Sequence, residues 1–187
     1  MGKLVVTEFI TLDAVIEDPG GGESFDRGGW AFQFERGEEG AKFKLDETLE
    51  AEALLLGRVT YEGFAAAWPT MTDEVGFAQK MNTMPKYVVS STLRELTWDN
   101  SSLVEGDVAE RVAQLKEQPG ENLVKYGTGE FSQTLLEHKL VDEYHFWLFP
   151  EVVGDGDRLF DGFRTSLELL DTTRFASGIV VLMYAPK

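Results

Sequence analysis

Short apolar runs alternate with helix-like segments along most of this chain, and this alternation is the feature that most constrains its fold. Five of the runs read as strands, at residues 3–13, 53–58, 86–92, 121–126 and 142–154. Strands that alternate with helices favour a mostly parallel sheet with right-handed crossovers and helices on both faces. We therefore predict a three-layer α/β/α fold around a central, mostly parallel sheet.

The remaining segments complete this prediction. Helical pattern or composition marks five stretches, at residues 38–53, 59–68, 73–82, 107–118 and 129–140. The helix at 107–118 is the clearest, since Asp107 is a suitable N-cap and Pro119-Gly120 follows its last turn. A weaker strand is expected at 101–106. Two final strands within 166–186, joined around Ser177-Gly178, predict an antiparallel element at the end of the sheet.

The size and composition predict one folded domain over residues 1–187. The chain shows no repeat, linker or composition break, and its 43% hydrophobic content is enough to build a large core. No apolar run approaches the roughly 20 residues that cross a bilayer. The first residues lack the cleavage site of a signal peptide, so we expect a cytoplasmic location.

Charge and the rarer residue types exclude several classes of function. The net charge of −16 opposes binding to nucleic acid or to an anionic membrane, so the expected partner is a small molecule. The chain has no cysteine and only two histidines, His138 and His145, which excludes thiolate chemistry and gives no convincing zinc site. The stretch GDGDRLFDG at 154–162 lacks the spacing of a calcium-binding EF-hand, so we expect no metal.

The segment VKYGTGEFSQTLL, at residues 124–136, places a glycine pair between an apolar strand and a helix. Gly127-Thr128-Gly129 matches only the beginning of the dinucleotide pattern G-x-G-x-x-G, because Ser132 stands where the third glycine belongs. A strand end, a flexible turn and a helix start still present unpaired backbone N–H groups and the positive end of a helix dipole. The two glycines therefore either bring donors to a phosphate or form only a tight turn.

Two other strands are followed by hydrogen-bond donors in the same way. Arg58 and Thr60 come after the strand that ends at Gly57, and Ser90, Ser91 and Thr92 follow the strand that ends at Val89. Taken singly, each is equally an ordinary helix start or a polar turn. Ligands of parallel sheets collect at the carboxyl ends of strands, so three donor-rich ends in one chain strengthen the prediction of a phosphorylated ligand.

Four segments then follow one another along the chain: VTEFITLDAVIEDPG, LLLGRVTYEGF, KYVVSSTL and VKYGTGEFSQTLLEHKLVDEYHFWLFPEVVGDGDRLF. In this order they resemble the dihydrofolate reductase superfamily. Within it, the chain is most similar to the C-terminal reductase domain of the bifunctional riboflavin-biosynthesis deaminase-reductase and to its small stand-alone bacterial homologues.

The resemblance implies a homodimeric reductase that uses NADPH to transfer a hydride to a small heterocyclic or carbonyl-type substrate. The residues that would hold the cofactor phosphates are Gly57, Arg58, Thr60, Ser90, Ser91, Thr92, Gly127, Thr128 and Gly129. The residues that would border the nicotinamide are Thr7, Leu12, Asp13, Ala14 and Ile16.

Aromatic residues in the stretch 28–40 are further candidates for the substrate pocket. Trp30, Phe32 and Phe34 could stack on a planar heterocycle. The alternative is that these rings pack the core of a loop or a dimer interface.

One departure from the family leaves the proton donor open. Dihydrofolate reductases carry a substrate-protonating carboxylate on the first helix, but the matching interval here reaches Ala41 and Lys42, with Asp46 and Glu47 about a turn away. Asp13 is then the candidate acid or substrate anchor, or it only orders its loop. A homologue that binds a nucleotide or pterin without turnover is the alternative function, and an acidic partner-binding domain is a third.

Overall fold

A computed structural model of the chain describes residues 2–118, 122–129, 131–160, 162 and 164–187. Within these residues the strands are β1 (Leu4–Thr11), β2 (Ala53–Gly57), β3 (Lys86–Val89), β4 (Ser101–Leu103), β5 (Leu123–Tyr126), β6 (Glu143–Phe149), β7 (Leu167–Arg174) and β8 (Val180–Pro186). The helices are α1 (Gly37–Leu49), α2 (Arg58–Ala67), α3 (Phe77–Thr83), α4 (Val108–Glu117) and α5 (Phe131–Glu137). Two 3-10 turns cover Trp30–Gln33 and Trp68–Thr70.

The described strands form one sheet in the order β4-β3-β2-β5-β1-β6-β8-β7. β2 runs parallel to both β3 and β5, and β3 runs parallel to β4. β8 is antiparallel to both β6 and β7. The predicted α/β fold with a mostly parallel sheet and an antiparallel C-terminal pair is confirmed, and the antiparallel part also includes β6.

The chain divides into two compact units. The first unit consists of the residues up to Val6 and Lys44–Asp142, and the second consists of Thr7–Phe43 and Glu143–Lys187. Each unit has a hydrophobic cluster of its own, and the single domain over residues 1–187 stays a prediction.

The core of the first unit forms around β2. Leu54, Leu55 and Leu56 are each 0% exposed, as expected for a strand paired on both sides and apolar throughout. Tyr61 of α2 and Trp98 pack into the same cluster, where the Tyr61 hydroxyl accepts a hydrogen bond of 3.0 Å from the Trp98 backbone N–H. The short apolar run ALLLG therefore specifies a central strand.

Aromatic rings dominate the core of the second unit. Trp147 and Phe149 of β6 pack with Trp30 and Phe175, and the Trp30 and Phe149 ring centroids are 5.4 Å apart in an edge-to-face arrangement. The Trp30 indole N–H donates to the Glu17 carbonyl at 2.9 Å, which ties the 3-10 turn to the glycine-rich loop before it. Of the two alternatives for Trp30, the structure supports loop-core packing.

Several element ends differ from the predictions. α1 ends at Leu49, four residues before the predicted end, because Glu52 N–H already bonds the Asn122 carbonyl at 2.8 Å and leads into the sheet. α3 begins only at Phe77, because the Asp73 carboxylate accepts the N–H groups of its first turn. β3 ends at Val89, and α5 ends at Glu137. Asp107 is the N-cap of α4 as predicted, whereas Pro119-Gly120 lies outside the described residues.

Candidate functional site

The three donor-rich strand ends lie side by side in the first unit. β2 lies between β3 and β5, and the parallel register pairs Gly57 with Val89 and Leu56 with Tyr126. The carboxyl ends of these strands therefore meet at one edge of the sheet. This brings the segments after Gly57, Val89 and Tyr126 together, as the predicted ligand site at the strand ends requires.

Gly127, directly after β5, lies against Thr60 of α2, the helix that follows β2. Its φ is 72°, in the left-handed region that favours glycine, and an added Cβ would overlap the Thr60 hydroxyl of α2. The Lys125 ammonium donates a hydrogen bond to the Gly127 carbonyl. Only a residue without a side chain can occupy this turn without displacing Thr60.

Gly129 has a different environment from Gly127. Its N–H donates to Ser132 Oγ at 3.2 Å, and its carbonyl accepts from Ser132 N–H at 2.8 Å, so the two residues cap the start of α5 reciprocally. The nearest atom to an added Cβ would be Phe131 Cδ1 at 3.9 Å, which leaves room for a small side chain. The Gly129 N–H is thus already occupied by the protein.

The end of β2 leads directly into α2. Gly57 is the N-cap residue and no side chain caps this helix end. Arg58, the expected cationic donor, pairs with Glu62 at 2.8 Å, and both side chains are about half exposed. A pair this exposed contributes little stability, so Arg58 can exchange Glu62 for another anion at small cost.

The end of β3 forms a compact polar turn. Ser90 Oγ accepts hydrogen bonds from Thr92 N–H at 3.2 Å and from Leu93 N–H at 3.0 Å. The Arg94 guanidinium donates to the Ser91 carbonyl at 3.1 Å, while Ser91 and Thr92 are exposed. Ser90 therefore shapes the turn. The exposed Ser91 hydroxyl is open to a ligand, and the exposed Thr92 hydroxyl lies 3.4 Å from Ser90 Oγ.

Donors that lack a hydrogen-bond partner among the described residues lie beside Gly127. Neither the Thr60 hydroxyl nor the Thr128 N–H makes a hydrogen bond to any residue that the structure describes. Both groups lie next to Gly127, one across from it and one directly after it. They are the donors with which this part of the chain could bind an anion.

Asp13 lies in a turn of the second unit that its own side chain holds together. Its carboxylate accepts from the Thr11 hydroxyl at 2.6 Å, from Gly154 N–H at 2.6 Å and from Val153 N–H at 3.2 Å. These hydrogen bonds, with Thr11 the largest contributor, lower the pKa of Asp13 below its usual value. An ionised carboxylate with three donors orders the loop but is a poor proton donor, and the catalytic role of Asp13 stays a prediction.

The neighbouring candidates belong to the same tight turn. Ala14 has a φ of 67° and donates to the Thr11 carbonyl at 2.9 Å, and Ile16 N–H donates to the Asp157 carbonyl at 2.9 Å. Thr7 is buried, whereas Leu12 is 59% exposed. The backbone N–H groups of Ala14 and Ile16 are therefore occupied, and Leu12 presents the apolar surface of this loop.

The aromatic candidates separate in the structure. Trp30 is 1% exposed inside the core of the second unit, whereas Phe32 is 68% exposed. Phe34 packs against Phe149 with ring centroids 5.9 Å apart. Of the three rings, Phe32 is the one whose face is open to a ligand.

The sequence interpretation missed a buried polar network on α1. Lys44 Nζ donates to Glu47 at 2.6 Å and lies 4.5 Å from the centroid of the Tyr126 ring, whose hydroxyl is 3.0 Å from that of Thr48. Burial raises the pKa of the Tyr126 hydroxyl. Lys44, Glu47 and Thr48 are buried, whereas Leu49, one of the apolar residues that mark this helix in the sequence, is 48% exposed.

Two further observations concern ligands and membranes. Among the described residues no group of three or more histidine, aspartate or glutamate side chains is arranged to hold a metal ion, and Asp161 of GDGDRLFDG lies outside them. In the same part of the chain, none of the helices has the length and hydropathy to span a bilayer.

The fold is shared with solved structures of riboflavin-biosynthesis proteins. A putative riboflavin biosynthesis protein from Shewanella sp. PV-4 has a TM-score of 0.77 at 20% identity, with 99% of each chain covered. The chain belongs to the RibD C-terminal domain family, whose model matches residues 2–181. The predicted family is thereby confirmed.

More distant structures share the same fold. The diaminohydroxyphosphoribosylaminopyrimidine deaminase/5-amino-6-(5-phosphoribosylamino)uracil reductase of Thermotoga maritima has a TM-score of 0.65 at 15% identity, and the match covers 100% of this chain but 57% of that one. A pyrimidine reductase-like protein of Corynebacterium diphtheriae has a TM-score of 0.59 at 11% identity. In sequence, the uncharacterized protein YyaP of Bacillus subtilis is 29% identical over 141 residues, 72% of this chain and 74% of that protein.

Proposed function

We propose that this protein is an NADPH-dependent reductase of a small heterocyclic or carbonyl-type substrate, similar to 5-amino-6-(5-phosphoribosylamino)uracil reductase or to dihydrofolate reductase. One observation carries the proposal. The three donor-bearing segments occupy the carboxyl ends of β3, β2 and β5, which are adjacent parallel strands of the first unit. A chain of the RibD C-terminal domain family with such an edge has the parts that a phosphorylated cofactor needs.

The residues at this edge fit the phosphates of a dinucleotide. The uncapped start of α2, the Thr60 hydroxyl and the Thr128 N–H offer donors that the described protein does not use. Gly127 has no side chain, so a phosphate oxygen can approach the backbone of the turn. Gly57, Arg58, Thr60, Gly127 and Thr128 would hold the pyrophosphate, with Gly129 contributing through the shape of the turn.

The turn after β3 fits a second anionic group. Ser91 and Thr92 are exposed hydroxyls on a turn that Ser90 fixes, and they would hold the 2′-phosphate that distinguishes NADPH from NADH. When bound, NADPH would supply the hydride. The protein residues named here would orient it.

A thermal-shift titration tests the cofactor. NADPH should raise the melting temperature, and NADH should do so only at much higher concentration, because it lacks the group assigned to Ser91 and Thr92. Saturation at 100 times Kd corresponds to about 2.7 kcal/mol of added stability. No shift at millimolar NADPH would exclude the proposed cofactor.

A binding-only homologue is the second candidate function. It is favoured by Asp13, whose carboxylate is engaged by three donors and has a lowered pKa, so that it does not suit proton donation. Stopped-flow oxidation of bound NADPH against pterins, pyrimidines and quinones separates the two candidates. Turnover of any member of this panel would eliminate the binding-only function.

A further inference from the structure

Lys125 has an unusual position for a lysine. It lies in β5 of the first unit, is 0% exposed, and its ammonium nitrogen is 4.9 Å from the centroid of the Phe131 ring. Burying an ammonium group has a large desolvation cost, which a valine or isoleucine at the same position would avoid. A lysine at this buried position therefore indicates a specific function for its ammonium group at the adjacent end of β5.

The hydrogen bond from Lys125 fixes the orientation of the next peptide group. The Gly127 carbonyl and the Thr128 N–H belong to one trans peptide unit, so they point in opposite directions. Because the buried ammonium of Lys125 holds the carbonyl, the Thr128 N–H is directed away from Lys125. That N–H makes no hydrogen bond to any described residue.

The surroundings of this turn suit an anion. The Thr60 hydroxyl, also without a partner in the described part of the chain, lies against Gly127. The chain as a whole carries a charge of −16 and repels anions at long range, so an anion here requires local positive charge. Arg58 lies at the start of α2, and the ammonium of Lys125 contacts the turn itself at the Gly127 carbonyl.

We propose that Lys125 is a positioning residue for phosphate binding at the turn after β5. It directs the Thr128 N–H outward, toward the phosphate, while its own ammonium stays on the carbonyl side of the same peptide group. This inference rests on the proposed function, since the phosphate in question is the pyrophosphate of the cofactor. It adds a residue that contacts no ligand atom and acts through the Gly127 carbonyl.

Two substitutions and a matched control test the proposal. Lys125→Met removes both the charge and the donor, whereas Lys125→Gln keeps an N–H donor and removes only the charge. Lys86→Met is the control, because Lys86 is also 0% exposed and lies in a parallel strand of the same sheet. It is at the amino end of β3, where it bonds the carbonyls of Asn82 and Asp99. The dissociation constants of NADPH and of inorganic pyrophosphate are measured by calorimetry, with stability measured by urea unfolding.

Lys125→Met should weaken both ligands about tenfold to hundredfold, the range for losing hydrogen bonds to a charged group. Lys125→Gln should recover part of this loss and should show a shallower dependence of affinity on salt concentration than the unsubstituted protein. Lys86→Met should leave both affinities unchanged even if it costs as much stability. Equal affinities for Lys125→Met and the unsubstituted protein, or equal losses in Lys86→Met, would overturn the proposal.

A measurement on the unsubstituted protein keeps the test independent of folding of the variants. On addition of pyrophosphate, the Thr128 amide proton should move downfield in the NMR spectrum, and no movement at saturation would contradict the proposal. If pyrophosphate binds in a Lys125-dependent manner and NADPH does not bind, the proposed function is wrong and the phosphate-positioning role of Lys125 is supported. If NADPH binds with an affinity that Lys125→Met does not change, the proposed cofactor is supported and the positioning role of Lys125 is wrong.

Discussion

At the scale of single residues, Gly127 and Gly129 differ although they form one motif in the sequence. Gly127 has a positive φ and faces Thr60, whereas Gly129 has neither a positive φ nor a close neighbour for a Cβ. Gly127→Ala should therefore lower the free energy of unfolding by about 1–3 kcal/mol, and Gly129→Ala by less than about 0.5 kcal/mol. Urea unfolding of the two variants measures the difference.

The same pair of variants also tests the proposed cofactor site. Gly127→Ala should weaken NADPH binding as well as stability, because the added methyl group displaces Thr60. Gly129→Ala should leave binding close to that of the unsubstituted protein, since its N–H already bonds Ser132. Equal stability and equal affinity in both variants would show that the geometry of Gly127 is unimportant.

Lys86 links stability to pH. Its ammonium is buried beside the Trp98 ring, 4.2 Å from the centroid, and this burial lowers its pKa from 10.5 to about 8, while Asp99 opposes the shift. The folded state therefore binds fewer protons than the unfolded state between about pH 8 and 10.5. Stability from this group is lowest below pH 8 and rises with pH across that window.

A comparison with Lys86→Met isolates this contribution from the other groups that titrate at high pH. Relative to the variant, the unsubstituted protein should gain on the order of 2–3 kcal/mol between pH 8 and 10.5. Urea unfolding at several pH values in this range measures the gain. A difference between the two proteins that does not change with pH would contradict the prediction.

At the scale of elements, α4 is joined to β1 through Asp142. The Asp142 carboxylate pairs with Lys116 at 2.5 Å and accepts from Leu4 N–H at 2.7 Å, and Lys116 also donates to the Leu140 carbonyl at 2.6 Å. Asp142→Ala should cost about 2–3 kcal/mol of stability, because it leaves the buried Lys116 ammonium without its counter-charge. Asp142→Asn, which keeps an acceptor for Leu4, should cost less, and urea unfolding of both variants checks the order.

At the scale of the whole molecule, the distribution of charge is uneven. The chain carries 33 acidic and 17 basic residues, yet the buried cations Lys44, Lys86, Lys116 and Lys125 all belong to the first unit. The net negative charge opposes nucleic-acid binding at long range, and the absence of a nucleic-acid partner stays a prediction. The buried lysines Lys86 and Lys116 bond backbone carbonyls, and Lys44 and Lys116 pair with carboxylates. The homodimer implied by the family stays a prediction.

Local sequence was sufficient to predict the elements whose signals are local. The apolar run of β2, the N-cap Asp107 and the turn around Ser177-Gly178 all form as their residues indicate. Local sequence does not show which face of α1 is buried, because a helix with polar residues on its inner face has the same pattern as one with a solvated polar face. The pattern shows which residues share a face, but not what that face packs against.

The sequence by itself determined the alternation of strands and helices, the glycine turns and the donors that follow three strands. The tertiary structure decided that β2 lies between β3 and β5, so that these donors meet at one edge. It also placed the Lys125 ammonium against the Gly127 carbonyl and joined the Asp13 carboxylate to the segment after β6, at Gly154. The reason is that periodicity reports interactions within a few residues, whereas strand order and burial depend on pairings between distant segments.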